Sequence, residues 1–146
     1  MGVFSISQYQ NILKMFKKRS LILLVDDDVI IDFLHKKLLI KAGIEAPIIT
    51  RYNGKTALEE LLKLNNQLDE NDTVLSLVDL NMPVLDGWGF LEELEVFYPQ
   101  LKFNLELFIL SSSNNPDDIL RSKKYPCVID YLNKPLTLDN IYKYFI

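Results

Sequence analysis

The sequence predicts an α/β fold built on a doubly wound, five-stranded parallel sheet of order 2-1-3-4-5. Three observations lead there. Short apolar runs alternate strictly with amphipathic segments, which implies parallel strands joined by right-handed helical crossovers on both faces. Five such units follow one another, the number that suits this strand order. The chain has 146 residues, which makes one domain at about 100–200 residues per domain. That is large enough to bury a core without disulfides or a structural metal.

Each element has its own signal. Leu21–Val25 is a continuous apolar run, as a strand buried on both faces should be. Across residues 29–42, Ile30, Phe33, Leu34, Leu38 and Ile40 lie near helical spacing, and Gly43 is a natural stop. Ile48, Ile49 and Thr50 are β-branched and mark residues 47–52 as the second strand. Residues 55–65 read as a helix with Leu58, Leu61 and Leu62 inward, and the polar stretch 65–72 as a loop. Residues 73–80 form the third apolar run. Asp86 is placed to cap a helix over Gly87–Phe97, with Phe90, Leu91, Leu94 and Phe97 on one face. A buried-type strand over 105–110 follows, then a short helix over 116–123 that opens with Pro116. A last strand over 127–132 and a last helix over Leu138–Phe145 complete the set. The topology is flavodoxin-like. Such sheets bind ligands beyond the carboxyl ends of their strands, where the strand order reverses, here between strands one and three.

Composition narrows the function. Apolar residues make up 49% and charged residues 25%, so the chain is not disordered. The net charge of −4 argues against direct nucleic-acid binding, which draws its affinity from Lys and Arg on phosphates. A single cysteine, Cys127, excludes a disulfide framework and multi-cysteine zinc sites. The basic run Lys17–Arg19 precedes only five apolar residues before three aspartates, too few for a signal peptide. No run approaches the roughly 20 apolar residues that span a membrane. The expected location is the cytoplasm, with no membrane insertion.

The strand ends carry the chemistry. Strand one ends in Asp26, Asp27 and Asp28, strand three in Asp79, and strand four in Ser111, Ser112 and Ser113. Lys134–Pro135 follows strand five. Carboxylates converging on one crevice raise each other's pKa unless a cation compensates. Lys134 is one such cation. The other is a hard divalent ion, since oxygen-only ligands without His or Cys suit Mg²⁺. Taken singly, these residues have plainer readings: Asp28 is expected to cap the first helix, and a lone Lys-Pro marks a turn. His35 is expected on the surface of the first helix.

The residues Leu23-Leu24-Val25-Asp26-Asp27-Asp28, Val78-Asp79-Leu80-Asn81-Met82-Pro83 with Asp86-Gly87, Ile109-Leu110-Ser111 and Tyr131-Leu132-Asn133-Lys134-Pro135 resemble the response-regulator receiver domain of two-component signalling. The match covers residues 20–146. The resemblance implies Asp79 as phosphoacceptor, with Asp26, Asp27, Asp79 and the backbone carbonyl of Asn81 holding Mg²⁺. It implies that Ser111 and Lys134 contact the phosphoryl group and that Ser111 and Tyr131 switch a protein-binding face. It also implies a cis bond between Lys134 and Pro135. The implied donor is a phosphohistidine on a sensor histidine kinase or a histidine phosphotransfer protein. The downstream protein partner is not implied.

Some features depart from the family pattern. Ser111 replaces the commoner Thr, Ser112 stands where Ala is common, and Pro126 stiffens the segment before strand five and shortens the fourth helix. Residues 1–19 fall outside the match. Tyr9, Ile12, Leu13 and Phe16 are spaced for an added helix, against the alternative of a plain extension. With no output domain after the last helix, the expectation is a stand-alone response regulator. It would not be an enzyme beyond catalysing its own phosphorylation and dephosphorylation. Two alternatives compete with it. One is a receiver-like binding module that is not phosphorylated, which should lack an acidic residue or the Lys. The other is an aspartate-nucleophile phosphatase, which should carry a second Asp at the position of Asn81.

Overall fold

The computed structural model describes Val3, residues 5–8 and residues 19–146. The helical spacing of Tyr9, Ile12, Leu13 and Phe16 lies outside the described residues. Five strands form one sheet of order β2-β1-β3-β4-β5: β1 (Leu21–Val25), β2 (Ile48–Arg51), β3 (Thr73–Val78), β4 (Asn104–Ser111) and β5 (Val128–Asn133). Every neighbouring pair is parallel. The crossovers are the helices α1 (Val29–Lys41), α2 (Gly54–Asn65), α3 (Gly87–Phe97) and α4 (Pro116–Ser122), and α5 (Leu138–Phe145) closes the fold. The doubly wound sheet read from the sequence is the one observed.

Strand periodicity divides the core. Successive side chains leave a strand on opposite faces. Leu21, Leu23 and Val25 of β1 therefore pack with α2 and α3, beside Leu61, Phe90 and Leu94. Ile22 and Leu24 pack with α1 and α5, beside Leu39, Ile141 and Phe145. On α2, Leu58 and Leu61 are buried as expected, whereas Leu62 is exposed and Leu64 takes the inward place one turn beyond Leu61. α4 is short, as the sequence suggested. The Arg121 guanidinium holds it against α3 by lying 4.3 Å from the centroid of the Trp88 ring, which stacks on Tyr125.

The first helix departs from its sequence reading. Ile30, Phe33, Leu34 and Ile40 are exposed, and the buried residues are Asp32, His35 and Leu39, spaced three and four apart. The expectation that His35 lies on the surface is therefore wrong: it is 2% exposed. Apolar residues occur around much of α1, so periodicity does not select one face. Rotation is set instead by the short link from Val25 and by the Asp28 cap, whose carboxylate accepts from the Ile30 and Ile31 amides at 3.1 Å. Burial leaves the His35 imidazole satisfied, because its Nε2 accepts from the Leu136 amide at 3.1 Å.

Candidate functional site

The parallel ladder aims the carboxyl ends of β1 and β3 at one crevice. Asp26 and Asp79 are the first residues past their strands, yet both remain tied to the sheet. The Asp26 amide donates to the Arg51 carbonyl at 3.0 Å, and the Asp79 amide donates to the Val25 carbonyl at 2.8 Å. Both side chains are buried, whereas Asp27 is exposed. Ligand oxygens of Asp26, Asp27 and Asp79 lie within 4.8 Å of one another. Asp28 is turned away as the α1 cap.

Lys134 enters from the end of β5. Its Nζ lies 2.5 Å from Asp26 Oδ2 and 3.2 Å from Asp79 Oδ2. The Lys134–Pro135 peptide is cis, and the Lys134 amide donates to the Ser111 carbonyl at 2.9 Å. Burial opposes the charge on Lys134, but Asp26 and Asp79 outweigh it and hold the ammonium pKa above its ordinary value. Burial and the neighbouring Asp26 charge push the Asp79 carboxyl up, against the opposing pull of Lys134 and the Asn81 backbone amide. Three carboxylates against one ammonium leave a net negative crevice. The donor set contains only oxygens, and its residual charge of about two suits a hard divalent cation.

The β4 end supplies hydroxyls and a small network. Ser111 is fully buried, and its Oγ accepts from the Ser113 amide at 3.2 Å. Tyr131 OH donates to the Ser113 carbonyl at 2.8 Å, and Ser113 Oγ donates to Asp118 Oδ2 at 2.6 Å. The residues singled out as switch elements, Ser111 and Tyr131, are thus bridged by the backbone of Ser113. The Asn81 side chain is exposed on the loop after Asp79. In that loop Val84 sits at φ +67°, a left-handed conformation unusual for a β-branched residue.

Gly87 closes the loop against the site. A Cβ there would lie 2.4 Å from the Asp79 carbonyl oxygen and 2.7 Å from Leu80 Cα. Both obstacles are backbone, so neither can rotate away. Gly87→Ala is expected to destabilise the fold by about 1–3 kcal/mol, read as a lower urea midpoint. It should also weaken divalent-cation binding, because the displaced backbone is that of Asp79.

Asp32 and His35 were not identified from sequence as part of this region. Asp32 is 3% exposed, and its Oδ1 is buried without a hydrogen-bond partner. Burial raises its pKa from 3.8 to about 6, with Lys36 opposing and Asp26 adding to the rise. A carboxyl whose folded pKa is raised contributes most to stability below its unfolded pKa, and loses that contribution as pH rises through the folded value. At pH 7 the charged group therefore costs about 3 kcal/mol at ~1.4 kcal/mol per unit. Asp32→Asn removes the charge but keeps a buried polar group. It is expected to gain about 1–2 kcal/mol at pH 7, and the gain should shrink as pH falls from 6 to 4. Urea unfolding at the two ends of that range checks it.

Comparison with known proteins identifies the family and the fold. The family model of the response regulator receiver domain matches residues 22–145. No curated protein matches the sequence. Among solved structures, a two-component response regulator from Cytophaga hutchinsonii is 25% identical with a TM-score of 0.71, covering 86% of this chain and 93% of that one. The phosphorylated cyanobacterial phytochrome response regulator RcpA is 28% identical with a TM-score of 0.67, covering 86% and 87%. The Mn²⁺-bound form of response regulator Rcp1 is 31% identical with a TM-score of 0.64, covering 85% and 87%. The family match takes in all of the sheet but Leu21, with all four strand ends that build the crevice, and on that ground the chain belongs to the response regulator receiver domain family of two-component signalling.

Proposed function

We propose that this chain is a single-domain response regulator that accepts a phosphoryl group from a phosphohistidine onto Asp79. The observation that carries this reading is the placement of Asp79. Its carboxylate lies at the end of the central strand, facing Asp26 and Asp27, with Lys134 Nζ 3.2 Å away. A carboxylate in such a place is a competent nucleophile. One Asp79 oxygen forms the new bond to phosphorus as the phosphorus–nitrogen bond of the donor breaks. Phosphoryl transfer asks the protein mainly for alignment and charge stabilisation. Lys134 holds a fixed positive charge beside the acceptor, and the Ser111 hydroxyl stands at the neighbouring strand end.

The oxygen-only donor set fits Mg²⁺, which Asp26, Asp27, Asp79 and the Asn81 carbonyl would hold. When bound, it would supply Lewis-acid charge neutralisation to the transfer. Asp26 already shares its charge with Lys134, which leaves the exposed Asp27 as the freest of the three carboxylates to ligate it. The Mn²⁺-bound and phosphorylated structures named above are of related proteins, and they lend support from outside this chain.

Signal output is read as conformational. An added charge near −2 beside Ser111 biases the Ser111–Ser113–Tyr131 network, and with it the face formed by α4, β5 and α5. The partners are a sensor histidine kinase or histidine phosphotransfer protein and a downstream protein, met in the cytoplasm without direct nucleic-acid contact. Among the described residues no helix is long and apolar enough to cross a membrane. Asn81 at the second position after Asp79 lacks the general acid of an aspartate-nucleophile phosphatase. The intact acidic set and Lys134 weigh against a module that is never phosphorylated. Intact-mass analysis after incubation with acetyl phosphate and Mg²⁺ tests the reading. Gain of one phosphoryl group is expected, and an unchanged mass would overturn it.

A further inference from the structure

We propose that His35 is a positioning residue for Lys134, acting through its hydrogen bond to the Leu136 amide. This rests on the phosphoacceptor reading above and adds to it a residue outside the four strand ends. The loop that carries Lys134 is anchored at both of its ends. On one side the Lys134 amide donates to the Ser111 carbonyl at 2.9 Å. On the other, two residues further on, the Leu136 amide donates to His35 Nε2 at 3.1 Å, in a buried contact that crosses from α5's entry to α1. The Leu136 side chain is 1% exposed in the core shared with Leu39 and Ile141. The segment between the two anchors projects the Lys134 side chain to Asp26 and Asp79.

The imidazole is suited to this role. Nε2 accepts, so its lone pair must be free and the ring proton sits on Nδ1. Burial, together with the Lys134 charge, keeps the His35 pKa below its ordinary value against the pull of Asp26 and Asp28. The ring therefore stays neutral and accepting near pH 7. Removing the acceptor orphans a buried amide, which the loop can satisfy only by moving. A small shift there displaces the ammonium from the acceptor carboxylate, and phosphoryl transfer is sensitive to such misplacement.

The test compares His35→Leu with His35→Gln. Leucine fills the site without an acceptor, and the glutamine carbonyl can stand in for Nε2. Phosphorylation by acetyl phosphate with Mg²⁺ is followed by intact mass, beside Mg²⁺ affinity by calorimetry and Leu136 amide hydrogen exchange. His35→Leu is expected to slow phosphorylation at least fivefold and speed Leu136 exchange at least tenfold, with Mg²⁺ affinity within twofold. His35→Gln should restore both to within twofold. Leu61→Ala, buried in the other half of the core on α2, controls for lost stability and should leave the phosphorylation rate unchanged. If His35→Leu does not fold, His35→Asn replaces it, because its shorter amide cannot reach Leu136. A wild-type chain that gains no phosphoryl mass overturns the receiver reading. A wild-type chain that is labelled, with the loss-of-acceptor variant equally fast or the glutamine variant equally slow, overturns this inference alone.

Discussion

Asp79→Asn is expected to take up no phosphoryl group from acetyl phosphate and Mg²⁺ under conditions that label the wild-type chain. The amide oxygen is a far weaker nucleophile than the carboxylate, and no other acidic side chain shares its position. Asp26 is engaged by Lys134 and by the Asp28 amide, Asp27 is exposed at the rim, and Asp28 caps α1. A decrease of at least about 100-fold in labelling rate is the expected size, since the covalent route itself is lost. Unfolding would not account for it. Asp79 is buried and its carboxyl is pushed up by burial and by Asp26, so the substitution removes one of three clustered charges and should leave the urea midpoint unchanged or higher. Labelling of the Asn variant at the wild-type rate would place the acceptor elsewhere.

The sheet and its order were legible because parallel strands buried on both faces read as unbroken apolar runs. β1 and β3 show this most plainly, with all residues of both strands buried. The convergence of Asp26, Asp79 and Lys134 followed from strand order alone, since residues past neighbouring parallel strands must share one edge. Strand termini were less legible. β4 runs on to Ser111 and β5 to Asn133, because the ladder continues through polar residues that apolar patterning cannot count. The rotation of α1 was not legible either. Its exposed Phe33 and Leu34 are more apolar than its buried Asp32 and His35, so patterning does not select the buried face. The hydrogen bond that permits His35 to be buried joins residues 101 positions apart, and no local signal announces it.

The pair Asp27→Ala and Asp28→Ala separates ligand from cap among three consecutive aspartates. Asp27 presents a carboxylate oxygen within 4.8 Å of those of Asp26 and Asp79, and it is exposed. Its loss removes one of three negative charges and one oxygen donor from a site that a hard divalent ion would occupy. Mg²⁺ affinity is expected to fall at least about tenfold, near 1.4 kcal/mol, as for a charged ligand in a partly solvated site. Asp28 spends its carboxylate on the Ile30 and Ile31 amides. Asp28→Ala should therefore cost about 1 kcal/mol of stability, with Mg²⁺ affinity within twofold of wild type. The two variants thus move opposite readouts: calorimetric titration with Mg²⁺ registers the first, and urea unfolding without metal registers the second. The Asp28 amide also donates to Asp26 Oδ1 at 2.9 Å, but that bond uses backbone and survives the substitution. Equal losses of Mg²⁺ affinity in both variants would show that the cap and the metal site are one structure, and the division of roles would fall.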